Sequence, residues 1–208
     1  YSTDLICRHA LDFLEADATL PFLLYVAPVA PHSPNTPPDR HVDAFPNVEP
    51  AIYPDYDAIP SPNPPAYLPS EPFGTRGLKR LKLGLRTTLI STLAVDDMIG
   101  EIHDALEADG RLANTVWVFI SDNGASSGEH RLFGKECEYW ICHRVPFVVA
   151  CPPGVCGGAT PGVQDFDNYA LNIDIAPTIA ELAGATPTIP VDGISMVPLL
   201  TNTATTWR

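Results

Sequence analysis

Apolar and polar positions recur along this chain with changing periods, and the changes mark out the elements. Near the start, Leu5, Ile6, His9, Ala10, Phe13 and Leu14 share one face at three- and four-residue steps, which predicts an amphipathic helix over about Thr3 to Glu15. "PFLLYVAPV" (21–29) is a short apolar run with β-branched and aromatic residues between prolines, and predicts a buried strand. Periodicity then stops. Thirteen of the 23 prolines lie between Pro31 and Pro72, which predicts a long surface excursion of turns and extended pieces over about 31–75. From Leu78 to Asp109 a second helix is the clearest element: Leu81, Leu85, Leu89, Leu93, Ile99, Ile102 and Leu106 line one face, and Gly110 offers a stop. "TVWVFI" (115–120) and "VPFVVACP" (145–152) read as further apolar strands. "NYALNIDIAPTIAELAGA" reads as a strand or turn entering a helix, with Pro177 near its first turn and Gly184 near its end. Strands that alternate with helices and are apolar throughout predict an α/β domain, a mostly parallel sheet flanked by helices.

Composition narrows this only slightly. With 208 residues, 45% hydrophobic and 18% charged, the chain suits one packed domain or part of a larger one. No run approaches the ~18 apolar residues of a membrane span, so no span is expected. It starts at Tyr1, without an initiator methionine or a secretory signal, and enters a helical pattern almost at once, which reads as a cut through a longer protein. The net charge of −13 argues against a nucleic-acid partner. An anionic substrate must then be attracted by a few local cations or a bound metal. Five cysteines (Cys7, Cys137, Cys142, Cys151, Cys156) leave one over after full pairing. Isolated thiols are the plain expectation, and a zinc site from Cys137, Cys142, His143 and His130 is the alternative. Asp96 and Asp97, adjacent in the second helix, face different ways and are expected to be structural or solvated.

Chemistry gathers at two strand ends, where ligands of such sheets bind. "PFLLYVAPVAPHSP" delivers His32, and "TVWVFISDNG" delivers Asp122 and Asn123. A carboxylate beside an amide oxygen is a hard-oxygen pair suited to Ca²⁺ or Mg²⁺. Asp-Asn-Gly is equally a common turn, and two donors fall short of the six to eight that calcium takes. His130 and Lys135 follow in "SDNGASSGEHRLFGK".

Taken together, "PFLLYVAPVAPHSP", "TLAVDD", "ISDNG…GEH…FGK", "RVPFVV" and "IDIAPTIAELAG…DGISMVPLL" resemble, in order, the sulfatase family of the alkaline-phosphatase-like superfamily. "YSTDLICRHALDFLE" and the proline-rich excursion look most like the branch that includes N-acetylglucosamine-6-sulfatases. The resemblance implies an alkaline-phosphatase-like α/β fold, here partial. It implies Asp122 and Asn123 as ligands of Ca²⁺ (Mg²⁺ being the other candidate), Lys135 as a sulfate-binding cation, His32 as the proton donor to the departing alcohol, and His130 as a residue lining the pocket.

The chain also departs from the family. No cysteine or serine lies in the C-x-P-S-R setting that yields the formylglycine nucleophile; "CPPGV" at Cys151 lacks both Ser and Arg. The early Asp-Asp pair and the Lys-x-His segment are absent too. Residues 1–208 are therefore expected to form the C-terminal part of a sulfatase catalytic domain, inactive alone, within a longer protein whose N-terminal portion supplies these groups. The expected substrate is a sulfated small molecule or glycan, and the expected setting secreted, periplasmic or lysosomal. Phosphate-ester hydrolysis in the same superfamily, and a non-catalytic carbohydrate-binding remnant, are the competing expectations.

Overall fold

The structure, a computed structural model, describes residues 1–59, 61–135, 137–156, 168–204 and 207. In chain order the elements are α1 (Ser2–Ala16), α2 (Gly74–Ala108), β1 (Trp117–Ile120), β2 (Ser126–Ser127), β3 (Phe133–Gly134), α3 (Trp140–His143), β4 (Phe147–Ala150), α4 (Pro153–Cys156), α5 (Ile175–Leu182) and α6 (Val197–Leu200). Single 3₁₀ turns lie at Asp39–His41, Leu112–Asn114 and Asn172–Asp174. The chain divides into two compact units, Tyr1–Asp109 with Asn123–Arg144, and Gly110–Asp122 with Val145–Arg208.

The first unit is organised by α1 packed on α2. Thr3, Cys7, Ala10 and Leu14 recur at four- and three-residue steps along α1 and are all buried. They meet the Ile90, Ala94, Met98, Ile102 and Leu106 stripe of α2, where Cys7 Sγ lies 4.0 Å from Met98 O. The predicted stripe is only partly right: Leu81, Ile102 and Leu106 are buried, while Leu85, Leu89, Leu93 and Ile99 are half-buried. A helix as long as α2 carries apolar residues on more than one face, and its partner selects the one that is buried. Arg40 holds α1 and α2 together at the surface, its guanidinium on Asp4 of α1 (2.8 and 3.0 Å) and Asp97 of α2 (2.7 Å). His41 adds a bond to Asp97 at 2.7 Å. Asp97 is thus structural, as expected.

Residues 21–29 correct the expectation of a buried strand. The segment forms neither helix nor strand and joins no ladder among the described residues, and Leu23, Tyr25 and Val29 are exposed. Apolar and β-branched composition favours a strand only where a neighbouring strand arrives to pair with and pack on it, which the sequence pattern alone cannot supply.

In the second unit β1 pairs with β4, Trp117 opposite Ala150 through Ile120 opposite Phe147. That ladder is antiparallel, although the strands are as apolar as those of a parallel sheet. Apolar content does not set strand direction, and here it does not report burial on both faces either, since Phe119 and Val148 are exposed. Asp174, fully buried, organises the rest of this unit: its carboxylate accepts from the backbone N–H groups of Leu171 and Ile194, both at 2.8 Å. Thr178 of α5 donates to the Asp174 carbonyl and accepts from Met196 N–H (2.6 and 2.8 Å).

Candidate functional site

The candidate cations sit in and beside the β2–β3 hairpin, where Ser126 pairs with Gly134 and Ser127 with Phe133. Its turn is tight. Gly128 N–H donates to Leu132 O at 2.8 Å, and His130 and Arg131 both take left-handed backbone angles (φ 53° and 61°). Buried Glu129 closes the turn by accepting from Ser127 N–H (2.6 Å) and the Ser126 hydroxyl (3.0 Å). At Gly128 a Cβ would stand 2.3 Å from the Tyr56 ring, and φ is 119°, so only glycine fits.

The proline-rich excursion packs against this hairpin. Asp57 N–H donates to Gly128 O at 2.8 Å, and His130 N–H to Asp55 O at 2.9 Å. Arg131 completes the junction. Its Nε reaches Asp57 O (3.1 Å) and Asp57 Oδ1 (3.4 Å), and its Nη1 reaches the carbonyls of Pro69 and Ser70. The Asp57 carboxylate in turn accepts from Phe73 N–H (2.9 Å) and Gly74 N–H (3.2 Å), capping the start of α2. Residues 55–57 of the excursion thus border the candidate segment.

Lys135 follows β3 directly, is exposed, and pairs with no carboxylate among the described residues. Two residues on, Cys137 is disulfide-bonded to Cys142, Cα to Cα 5.9 Å. Cys151 and Cys156 form a second disulfide, and Cys7 is a buried free thiol. These bonds overturn the expectation of isolated thiols. They also overturn the zinc alternative, since disulfide sulfurs of Cys137 and Cys142 have no thiolate to offer a metal. The first disulfide ties the candidate residues together. Cys142 Sγ lies 3.7 Å from Gly134 O, next to Lys135, while Cys142 O accepts Gly124 N–H at 3.0 Å, next to Asn123. A Cβ on Gly124 would come within 2.1 Å of Ile141 O, so close approach demands glycine there.

Asn123, His130 and Lys135 are therefore carried on one braced segment of the first unit. The Asn123 amide nitrogen donates to Gly124 O at 2.8 Å. The His130 ring packs at a tilt against Tyr139 (centroids 4.1 Å apart), its Nε2 is 3.9 Å from Asp55 Oδ2, and its buried Nδ1 has no hydrogen-bond partner among the described residues. Tyr67 donates to Glu138 at 2.8 Å, which raises the phenol to about 12 and holds the Glu138 carboxyl below its ordinary range.

His32 belongs to the same unit but is held from α2: Asn35 donates to Pro31 O (2.7 Å) and to Thr88 of α2 (3.0 Å), fixing its turn. His32 Nδ1 lies 2.7 Å from Ser33 O, which can only accept, so Nδ1 carries the proton and Nε2 is the atom for proton exchange. Asp122, exposed beyond β1, is counted with the second unit, and Asn123, its chain neighbour, with the first. The described ligand atoms within 4.8 Å of one another, on His103, Asp104 and Glu107, are all exposed on α2, an ordinary solvated helix face.

A sulfatase family model matches residues 1–185. The chain belongs to the sulfatase family. It is 35% identical over 127 residues to an N-acetylglucosamine-6-O-sulfatase of Bacteroides thetaiotaomicron, an alignment covering 60% of this chain and 22% of that one. To the human N-acetylglucosamine-6-sulfatase it is 31% identical over 214 residues, 100% of this chain and 38% of the other. A solved structure, in complex with its substrate D-glucosamine-2-N,6-O-disulfate, matches all of this chain and 54% of its own with a TM-score of 0.77 at 26% identity. The chain spans less than half the length of these curated relatives. The α/β fold of the alkaline-phosphatase-like sulfatases is the one expected from the sequence. Neither Arg131 nor the Cys137–Cys142 bridge was among the sequence candidates; a lone arginine beside a histidine, and two cysteines five apart, carry no such signal in one dimension.

Proposed function

We propose that the intact protein to which this sulfatase chain belongs hydrolyses a sulfate ester on a sulfated sugar. The observation that supports this most is Lys135, an exposed ammonium without a carboxylate partner among the described residues, braced through Gly134, Cys142 and Gly124 to the segment that begins at Asn123. In the proposed site Lys135 binds a non-bridging sulfate oxygen, and its charge opposes the negative charge that builds on the transferring group. His32, protonated on both nitrogens, gives its Nε2 proton to the departing alcohol while Nδ1–H stays on Ser33 O. His130, packed against Tyr139, lines the pocket.

Asp122 and Asn123 suit a divalent cation, Ca²⁺ or Mg²⁺: both donors are hard oxygens, and the Asn123 nitrogen is already bonded to Gly124 O. Bound there, the cation would neutralise charge on the sulfate. The nucleophile, by family resemblance a formylglycine, has no matching motif in residues 1–208, so we assign it to another part of the protein, with residues 1–208 as the later part of the catalytic domain. Two disulfides favour an oxidising setting, secreted, periplasmic or lysosomal. The test is turnover of a sulfated N-acetylglucosamine by the intact protein. Asp122→Ala and Lys135→Ala should each lower kcat/KM by about 10²–10³; near-parental turnover in either ends the proposal.

A further inference from the structure

Charge is distributed unevenly along this acidic chain. Five of its 12 cations, Arg76, Lys79, Arg80, Lys82 and Arg86, fall within eleven residues of α2, and no Asp or Glu occupies positions 72–95. Helical spacing puts Lys79, Lys82 and Arg86 on one side of α2. There they border a cleft of about 360 Å³, closed on its other side by Asn47, Val48 and Glu49 of the proline-rich excursion.

Internal pairing does not cancel this charge. Glu49 pairs with Lys82 at 2.6 Å, and Arg86 donates to the carbonyls of Val42 and Phe45 (2.7 and 3.3 Å), which leaves its charge unbalanced. Lys79 is exposed and forms no ion pair among the described residues. Three cations against one carboxylate leave the cleft positive in a protein of net charge −13. The strip also leads to the catalytic segment. Arg80 sits 4.3 Å over the Phe133 ring, and Phe133 opens β3, two residues before Lys135.

We propose that this cleft is a second anion-binding site, one that holds sulfate groups of a polysulfated glycan outside the ester being cleaved. The inference rests on the sulfatase reading and adds to it an extended polymeric substrate. Lys79 and Lys82 are the anion contacts, and Arg86 both shapes the cleft and adds charge. From Lys79 to Arg86 the strip runs about 10 Å along the helix axis, so it engages more than one charged group of a chain and discriminates little between short monosulfated esters.

Calorimetry on the intact protein, with a heparin-derived hexasaccharide and its desulfated counterpart, provides the test. The sulfated probe should bind, with affinity that falls as salt is added, and the desulfated one should not. Lys79→Gln with Lys82→Gln should weaken binding about tenfold, the combined effect of two exposed ion pairs; Lys79→Arg with Lys82→Arg should retain it. Turnover of a small monosulfated ester should stay parental in the glutamine variant, whereas Lys135→Ala should lose it, so the cleft and the catalytic reading fail separately. Parental affinity in the glutamine variant, equal binding of the desulfated probe, or equal binding of duplex DNA of matched charge overturns the inference.

Discussion

Arg131 holds three backbone carbonyls and one carboxylate of the proline-rich excursion while itself standing in a left-handed turn. With side-chain exposures of 10% for Arg131 and 16% for Asp57, water replaces little of what a truncation would remove. Arg131→Ala should therefore destabilise the first unit by about 3 kcal/mol, measured as a lower urea midpoint. Arg131→Lys should rescue little of it, because one ammonium cannot span the carbonyls that the planar guanidinium spans. An unchanged midpoint in Arg131→Ala would show that the excursion is held by other bonds. None of this is visible in "GEHRLFGK", where Arg131 reads as an ordinary surface cation. Asp122, Asn123, His130 and Lys135 stood out in "SDNGASSGEHRLFGK" only as candidates, because their residue types carry chemistry and stand in the order of the resemblance.

Between elements, the α1–α2 pair shows how a local pattern becomes tertiary structure. The helical period was readable over both segments and both helices form, although Leu5, His9 and Phe13 of the predicted α1 face are exposed. Which stripe of α2 would be buried depended on α1, and that partner lies some 80 residues away in sequence. Arg40, from the excursion, then adds an electrostatic clasp. Its hydrogen bonds hold the Asp4 carboxyl below the ordinary 3.8. At Asp97 burial pushes upward, but hydrogen bonds from His41 and Arg40 outweigh it and again lower the value from 3.8. Both carboxyls thus titrate lower folded than unfolded. Their contribution is complete above about pH 4 and is lost as pH falls through the folded values. The clasp is partly exposed, so solvent limits its size. In thermal melts between pH 6 and pH 3, Arg40→Gln should start lower than the parent and fall less steeply. Parallel curves would mean that the clasp contributes nothing.

For the whole molecule, cysteine chemistry gives the most direct check. Cys7 is buried; that burial, with the hydrogen bond and charge of Glu101, pushes its thiol up to about 11. Thiolate is the reactive form, so the native chain should label with no thiol reagent at neutral pH. One thiol should appear on unfolding without reductant and five after reduction, counted by mass spectrometry; more than one before reduction would contradict the disulfides. By itself the sequence determined the helices α1 and α2, the strand segments β1 and β4, the proline-rich excursion and the likeness to the sulfatase family, because period, proline content and ordered motifs are properties of one dimension. It did not determine that residues 21–29 would stay unpaired among the described residues, that β1 and β4 would run antiparallel, or that four cysteines would bond in pairs. Nor did it show that a basic cleft would form between α2 and the excursion. Those outcomes depend on which distant backbone or side chain arrives beside each group, and only the folded chain decides that.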